Sequence, residues 1–138
     1  MQALKQISPE LAVTGQILPD DVTDLAGRGF TMIVCDRPDG EDPGQPDFAT
    51  VAAAAARAGL EARHIPITSP AAADAATVGA FAKALAEAKG PVLAYCRTGN
   101  RCAVLWALGL AGSKPADEII GAAAAAGCDL SSLRPRLI

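Results

Sequence analysis

Residues 91–108 constrain the fold more than any other stretch of the chain. A short apolar run, Pro91-Val92-Leu93-Ala94-Tyr95, meets a polar hexapeptide, Cys96-Arg97-Thr98-Gly99-Asn100-Arg101, and then a second apolar run, Ala103-Val104-Leu105-Trp106-Ala107-Leu108. This layout predicts a buried strand, a tight glycine-containing turn and a buried helix. The rest of the chain repeats the alternation. Strands are expected at Leu11–Gly15, Thr31–Cys35 and Glu61–Ile65. A first helix opens at Pro19-Asp20-Asp21, carries Val22, Leu25 and Ala26 on its inward stripe and closes at Gly27 and Gly29. A second places Phe48, Val51, Ala52 and Ala55 on one face and stops at Gly59. A third, over 73–89, sets Val78, Phe81, Ala82 and Leu85 at helical spacing. A helix over 115–126 and a short one over 130–134 complete the chain, the latter capped by Asp129. Strands separated by helices of this length predict an α/β fold with a parallel sheet covered on both faces, as one domain over 1–138.

Composition narrows the function classes. Of 138 residues, 51% are apolar but only 4% aromatic, the excess being alanine, which suits helices packed closely on a sheet. The net charge is −3 and no two Lys or Arg are adjacent, which argues against nucleic acid or an anionic membrane as partner. The N-terminal residues lack a secretory pattern, and no apolar stretch reaches the roughly 18 residues of a membrane span. Four cysteines, Cys35, Cys96, Cys102 and Cys128, form no CxxC pair and no zinc spacing, so neither metal nor organic cofactor is implied, and a reducing cytoplasm is the expected compartment.

In parallel sheets, ligands bind beyond the carboxyl ends of the strands. Three loops meet there: Gly15-Gln16, Asp36 to Glu41, and Cys96 to Arg101. A cysteine at the strand-to-helix turn faces converging N–H groups and a helix N-terminus, and two arginines add positive charge. Such surroundings lower a thiol from about 8.5 to between about 3.5 and 7.5. Cys96 is therefore the candidate nucleophile and Arg101 the candidate anion-holding catalytic partner. Thr98, Gly99, Asn100 and Asp39 are candidates for substrate binding, with Arg97 pointing outward as a general attractor of anions. Cys102 and Cys35 are candidate second thiols, each with core packing as the simpler role. His64 reads as a structural strand histidine, and Asp39 and Glu41 as braces of their loop.

The strand–Cys loop–helix unit resembles the protein tyrosine phosphatase superfamily, in which five residues separate Cys from Arg. Here four separate Cys96 from Arg101, and Cys-Arg-x-Gly-x-Arg resembles the loop of rhodanese sulfurtransferases. Leu11-Ala-Val-Thr-Gly-Gln-Ile, Arg37-Pro-Asp-Gly-Glu, Pro43-Gly-Gln-Pro, His64-Ile-Pro-Ile and Ala94-Tyr-Cys-Arg-Thr-Gly-Asn-Arg-Cys resemble the beta-lactamase-hydrolase-like protein, phosphatase-like domain family, over roughly residues 3 to 112. The resemblance implies a four-stranded parallel sheet in order 1-4-2-3 between helical layers. It also implies phosphatase-like or sulfur-transfer roles, with a link to persulfide-oxidising enzymes through members fused to persulfide-handling domains.

Local features divide these chemistries. Phosphoryl transfer needs donors around three equatorial oxygens, whereas the four-residue spacing predicts a smaller cup that suits one extra sulfur. Related phosphatases resemble this chain where an aspartate protonates the leaving oxygen, but Thr68 and Ser69 stand there, and neither is an acid near neutral pH; Asp39 is the candidate replacement. The expectation is a sulfurtransferase that forms a persulfide on Cys96 from thiosulfate or a small persulfide and passes it to a thiol or cyanide. The alternatives are a cysteine-dependent phosphatase acting on a phosphorylated substrate, and a thiol redox sensor.

Overall fold

The strands are β1 (Lys5–Ser8), β2 (Leu11–Thr14), β3 (Met32–Cys35), β4 (Glu61–His64) and β5 (Val92–Tyr95), in a computed structural model that describes residues 1–138. The helices are α1 (Asp21–Gly27), α2 (Phe48–Arg57), α3 (Ala75–Glu87), α4 (Asn100–Leu110) and α5 (Ala116–Ala126), with 3₁₀ turns at Pro70–Ala72 and Ser131–Arg136. The sheet order is β1-β2-β5-β3-β4. Four strands are parallel, and their order β2-β5-β3-β4 is the expected 1-4-2-3 arrangement.

The sheet has five strands rather than four. β1 runs antiparallel to β2 through a tight turn at Pro9-Glu10 and forms one edge. Its sequence, Lys-Gln-Ile-Ser, buries only Ile7, so it lacks the continuous apolar run that marks β2, β3 and β5.

Strand alternation sorts the core into two layers. Leu11, Val13, Val34, Val92 and Ala94 face α3, α4 and α5. Ala12, Ile33, Leu93 and Tyr95 face α1 and α2. Because β2, β3 and β5 are buried on both faces, their sequences are continuous apolar runs, as expected of a covered parallel sheet. Local signals set the helix starts: the Asp47 carboxylate accepts from Thr50 N–H at α2, and Asp74 and Thr77 form a reciprocal cap at α3. No helix is long and apolar enough to cross a membrane.

Candidate active site

The loop from Cys96 to Gly99 joins β5 to α4 at the carboxyl edge of the sheet. Its turn depends on Gly99, whose φ of 94° lies in the left-handed region, and a side chain there would start 3.3 Å from Thr14 N and from Val13 Cγ2. The loop thus rests directly on β2. This close approach brings Gly99 N–H to Cys96 Sγ at 3.1 Å.

Cys96 is wholly buried, yet its pKa is held down from 9.0 to about 5. The largest cause is the Cys102 thiol, which hydrogen-bonds Cys96, joined by the backbone N–H groups of Thr98, Cys102 and Gly99; these outweigh desolvation. Arg101 attracts the thiolate but is not the leading cause. Cys102 is itself fully buried, and desolvation pushes its pKa up, so it stays a thiol that donates.

Arg101 reaches from the first turn of α4. Its Nη1 and Nη2 each donate to a different Glu41 carboxylate oxygen at 2.8 Å, and Nη1 also donates to Ile67 O at 2.8 Å. The two parallel bonds to Glu41 fix the plane of the guanidinium. Arg101 hydrogen bonds first, and Arg37 second, hold the Glu41 carboxyl at about 2.

From sequence, Arg37 stands out only as part of the Arg37-Pro-Asp-Gly-Glu motif, with no role assigned to it. Its side chain is only 3% exposed. Nε donates to Glu41 Oε1 at 2.9 Å, Nη1 to Gln16 Oε1 at 2.9 Å and Nη2 to Asp42 Oδ2 at 2.5 Å. Asp42 in turn accepts from Arg97 at 2.7 Å. Arg37 therefore ties all three rim loops together. Arg97 is half exposed at the mouth, in the outward position expected of it.

A polar cavity of about 440 Å³ opens over the loop. Arg97, Thr98, Asn100 and Arg101 line it from one side, and Glu41 with Thr68 to Pro70 from the other. Thr98 Oγ1 accepts from Asn100 N–H at 3.3 Å, which tightens the turn.

Two expected site residues lie elsewhere. Asp39 Oδ1 accepts Phe48 N–H at 2.8 Å at the start of α2, so it braces that helix and does not line the cavity. Cys35 stands in register with Tyr95, one residue before Cys96, and packs with it on the α1–α2 side of the sheet. Cys96 and Cys102 pack on the opposite side. Cys35 is therefore not a second thiol of the site. Its Sγ donates to Arg37 O at 3.3 Å, and burial pushes its pKa up to about 11. His64 Nε2 lies 2.9 Å from Arg37 O, and the ring stacks on Phe48, a structural role. Cys128 is buried in the core; the neighbouring Asp129 accepts from Ser131 N–H at 3.0 Å, but the cap position of the last 3₁₀ turn is Leu130 rather than the expected Asp129.

Comparison with known proteins follows this geometry closely. Residues 3–113 match the family described as beta-lactamase hydrolase-like protein, phosphatase-like domain. The chain is 40% identical over 109 residues to a beta-lactamase hydrolase-like protein of Agrobacterium fabrum, covering 79% of this chain and 25% of that protein. A namesake from Xylella fastidiosa is 37% identical over 126 residues, covering 90% and 29%. The chain thus spans little more than a quarter of the length of these relatives. Among solved structures, a candidate phosphatase from Neisseria meningitidis superposes with a TM-score of 0.88 at 37% identity, over 99% of this chain and 97% of that one. P. aeruginosa TpbA, solved with phosphotyrosine, superposes with a TM-score of 0.63 at 21% identity over 97% and 89%, a likeness of fold alone.

Proposed function

The chain belongs to the beta-lactamase hydrolase-like protein, phosphatase-like domain family, and on that premise we propose that it is a phosphoric monoester hydrolase working through a phosphocysteine on Cys96. One observation carries the reading: a thiolate held by hydrogen-bond donors belongs to the same loop whose Arg97, Thr98, Asn100 and Arg101 line a cation-flanked cavity roomy enough for a phosphate ester. The 37%-identical neighbour from Neisseria, itself a candidate phosphatase, supports phosphoryl chemistry over the sulfur transfer expected from the loop spacing.

Cys96 Sγ attacks phosphorus as the bond to the leaving oxygen breaks. Arg101, aimed by Glu41, and the loop N–H groups stabilise the charge on the equatorial oxygens. Water then attacks the phosphocysteine, and the thiolate departs as a low-pKa leaving group. No carboxylic acid stands at the mouth: Glu41 is kept ionised by Arg101, and the Asp42 carboxyl is held below its ordinary range by Arg37 and Arg97. The leaving oxygen departs as an anion, so aryl phosphates are better substrates than alkyl phosphates.

The test is hydrolysis of 4-nitrophenyl phosphate by the wild-type chain and by Cys96→Ser, with rapid-quench mass spectrometry of the Cys96 peptide. Turnover that vanishes in the variant, with one phosphoryl group trapped on Cys96, is the expected result. The absence of both turnover and trapping would discard the proposal.

A second reading, sulfur transfer, is favoured by the four-residue Cys96-to-Arg101 spacing. In it the thiolate attacks the outer sulfur of thiosulfate, sulfite leaves as an anion without an acid, and Cys96 carries a persulfide. Thiocyanate formed from thiosulfate and cyanide, in the absence of phosphatase turnover, would replace the first reading with this one.

A further inference from the structure

Cys96 shares its side of the sheet with a second buried acid. Asp36 follows Cys35 at the end of β3, and its N–H donates to Tyr95 O at 2.9 Å. Cys35 and Tyr95 are in register and face α1 and α2, so alternation turns Asp36 and Cys96 together toward α4. Cys102, from the first turn of α4, packs with Cys96 in the same core cluster, and its thiol is the polar group that acts on both Cys96 and Asp36. All three residues are without exposed surface. Neither Asp36 carboxyl oxygen has a well-formed hydrogen bond, and nothing in the mechanism above uses it. A carboxylate cannot persist in that setting beside a thiolate; a neutral carboxyl can.

We propose that Asp36 is a positioning residue for the nucleophile: its protonated carboxyl donates to Cys102 Sγ and so commits the single Cys102 proton to Cys96. The proton count supports this arrangement. Cys102 has one S–H and cannot serve both the Cys96 thiolate and an ionised Asp36. Two protons shared among three acids leave one negative charge, and the chain Asp36–OH to Cys102–SH to Cys96–S⁻ places it on the attacking atom. The other titratable or charged groups that act on this chain are Arg101, already paired with Glu41, and three neutral groups whose pKa burial raises: Cys128, and Cys35 and Tyr95 across the sheet. The inference rests on Cys96 being the nucleophile, whether toward phosphorus or sulfur, and its readouts need no turnover.

The experiment is a titration of thiolate ultraviolet absorbance on the full chain, with Cys96→Ser subtracted, for the wild type, Cys102→Ala, Cys102→Ser and Asp36→Asn. It is accompanied by the infrared difference spectrum of wild type minus Asp36→Asn at neutral pH. Loss of the Cys102 donor in Cys102→Ala raises the Cys96 midpoint by about one to two pH units, and Cys102→Ser, which keeps a donor, restores most of it. Asp36→Asn supplies a permanent neutral donor and leaves the midpoint near the wild-type value. The infrared spectrum shows a protonated-carboxyl band belonging to Asp36. A midpoint lowered by a unit or more in Asp36→Asn, or a carboxylate band in place of the acid band, would mean that Asp36 is an anion and overturn the proposal. An unmoved midpoint in Cys102→Ala would overturn it as well. Should Asp36→Asn fail to fold by circular dichroism, wild-type protein made with isotope-labelled aspartate carries the infrared test.

Discussion

Cys35 and Cys96 end or directly follow adjacent strands, both are buried, and they have opposite acidities. Cys35 is pushed up to about 11 and Cys96 is held down at about 5. Burial raises both, and at Cys35, whose Sγ donates to Arg37 O, it prevails. At Cys96 the Cys102 thiol, with Gly99 N–H and its companions, outweighs burial and favours loss of the proton. The strand ends supply the same residue type at nearly the same height. What separates them is the tight turn into α4, present at β5 and absent at β3.

The comparison is tested most severely at the cation that answers the thiolate. Arg101→Lys keeps the charge but loses the double bond to Glu41, and steady-state kinetics on an aryl phosphate should show turnover lower by about 10²–10³-fold. Glu41→Gln leaves Arg101 in place but frees its plane, and kcat/KM should fall by about tenfold. The same variant should lose acid-side stability. Because the folded Glu41 value is depressed from 4.5 to about 2, its contribution is present above 4.5 and disappears as pH falls toward 2, as acid-unfolding curves of the two proteins would reveal.

Stability measured against pH separates the two thiols by sign. Cys96 has a depressed folded value, so the stabilisation it confers is complete above 9.0 and lost as pH falls through about 5. Cys35 has a raised folded value, so its contribution is complete below 9.0 and lost as pH rises toward about 11. Urea unfolding of Cys96→Ala should therefore show a deficit that grows from pH 5 to pH 9, and that of Cys35→Ala a deficit that shrinks above pH 9. Parallel curves for the two variants would break the comparison. The smallest effect is expected in Cys35→Ser, whose turnover should stay within about twofold of wild type because that thiol faces the other side of the sheet.

Much of this arrangement is legible without coordinates. The three central parallel strands have nearly unbroken apolar runs, and Gly, Pro and acidic residues mark the helix ends, so the frame of the sheet and the Cys96–Arg101 loop emerge directly. Other features depend on register or on distant partners. Cys35 reads as a neighbour of Cys96 once their strands adjoin, and only the pairing of Cys35 with Tyr95 shows that the two thiols face apart. Arg37 is buried by Gln16, Glu41 and Asp42, residues that look solvated when read along the chain. Asp36 is equally inconspicuous, since a charged residue after a strand is ordinarily exposed. Thr68 to Pro70 and Glu41 come from distant loops and form the wall facing Cys96 to Arg101, which the four-residue spacing alone does not reveal.

The ion pairs at the rim are graded by depth. Arg97 and Asp42 meet with side chains 53% and 49% exposed, whereas Arg101 and Glu41 meet at 11% and 20%. Dissolved electrolyte screens exposed charges over about 8 Å at physiological ionic strength and affects enclosed ones far less. Added salt consequently weakens capture of an incoming anion at the entrance while leaving the chemistry beneath it intact, so brine should raise KM and spare kcat.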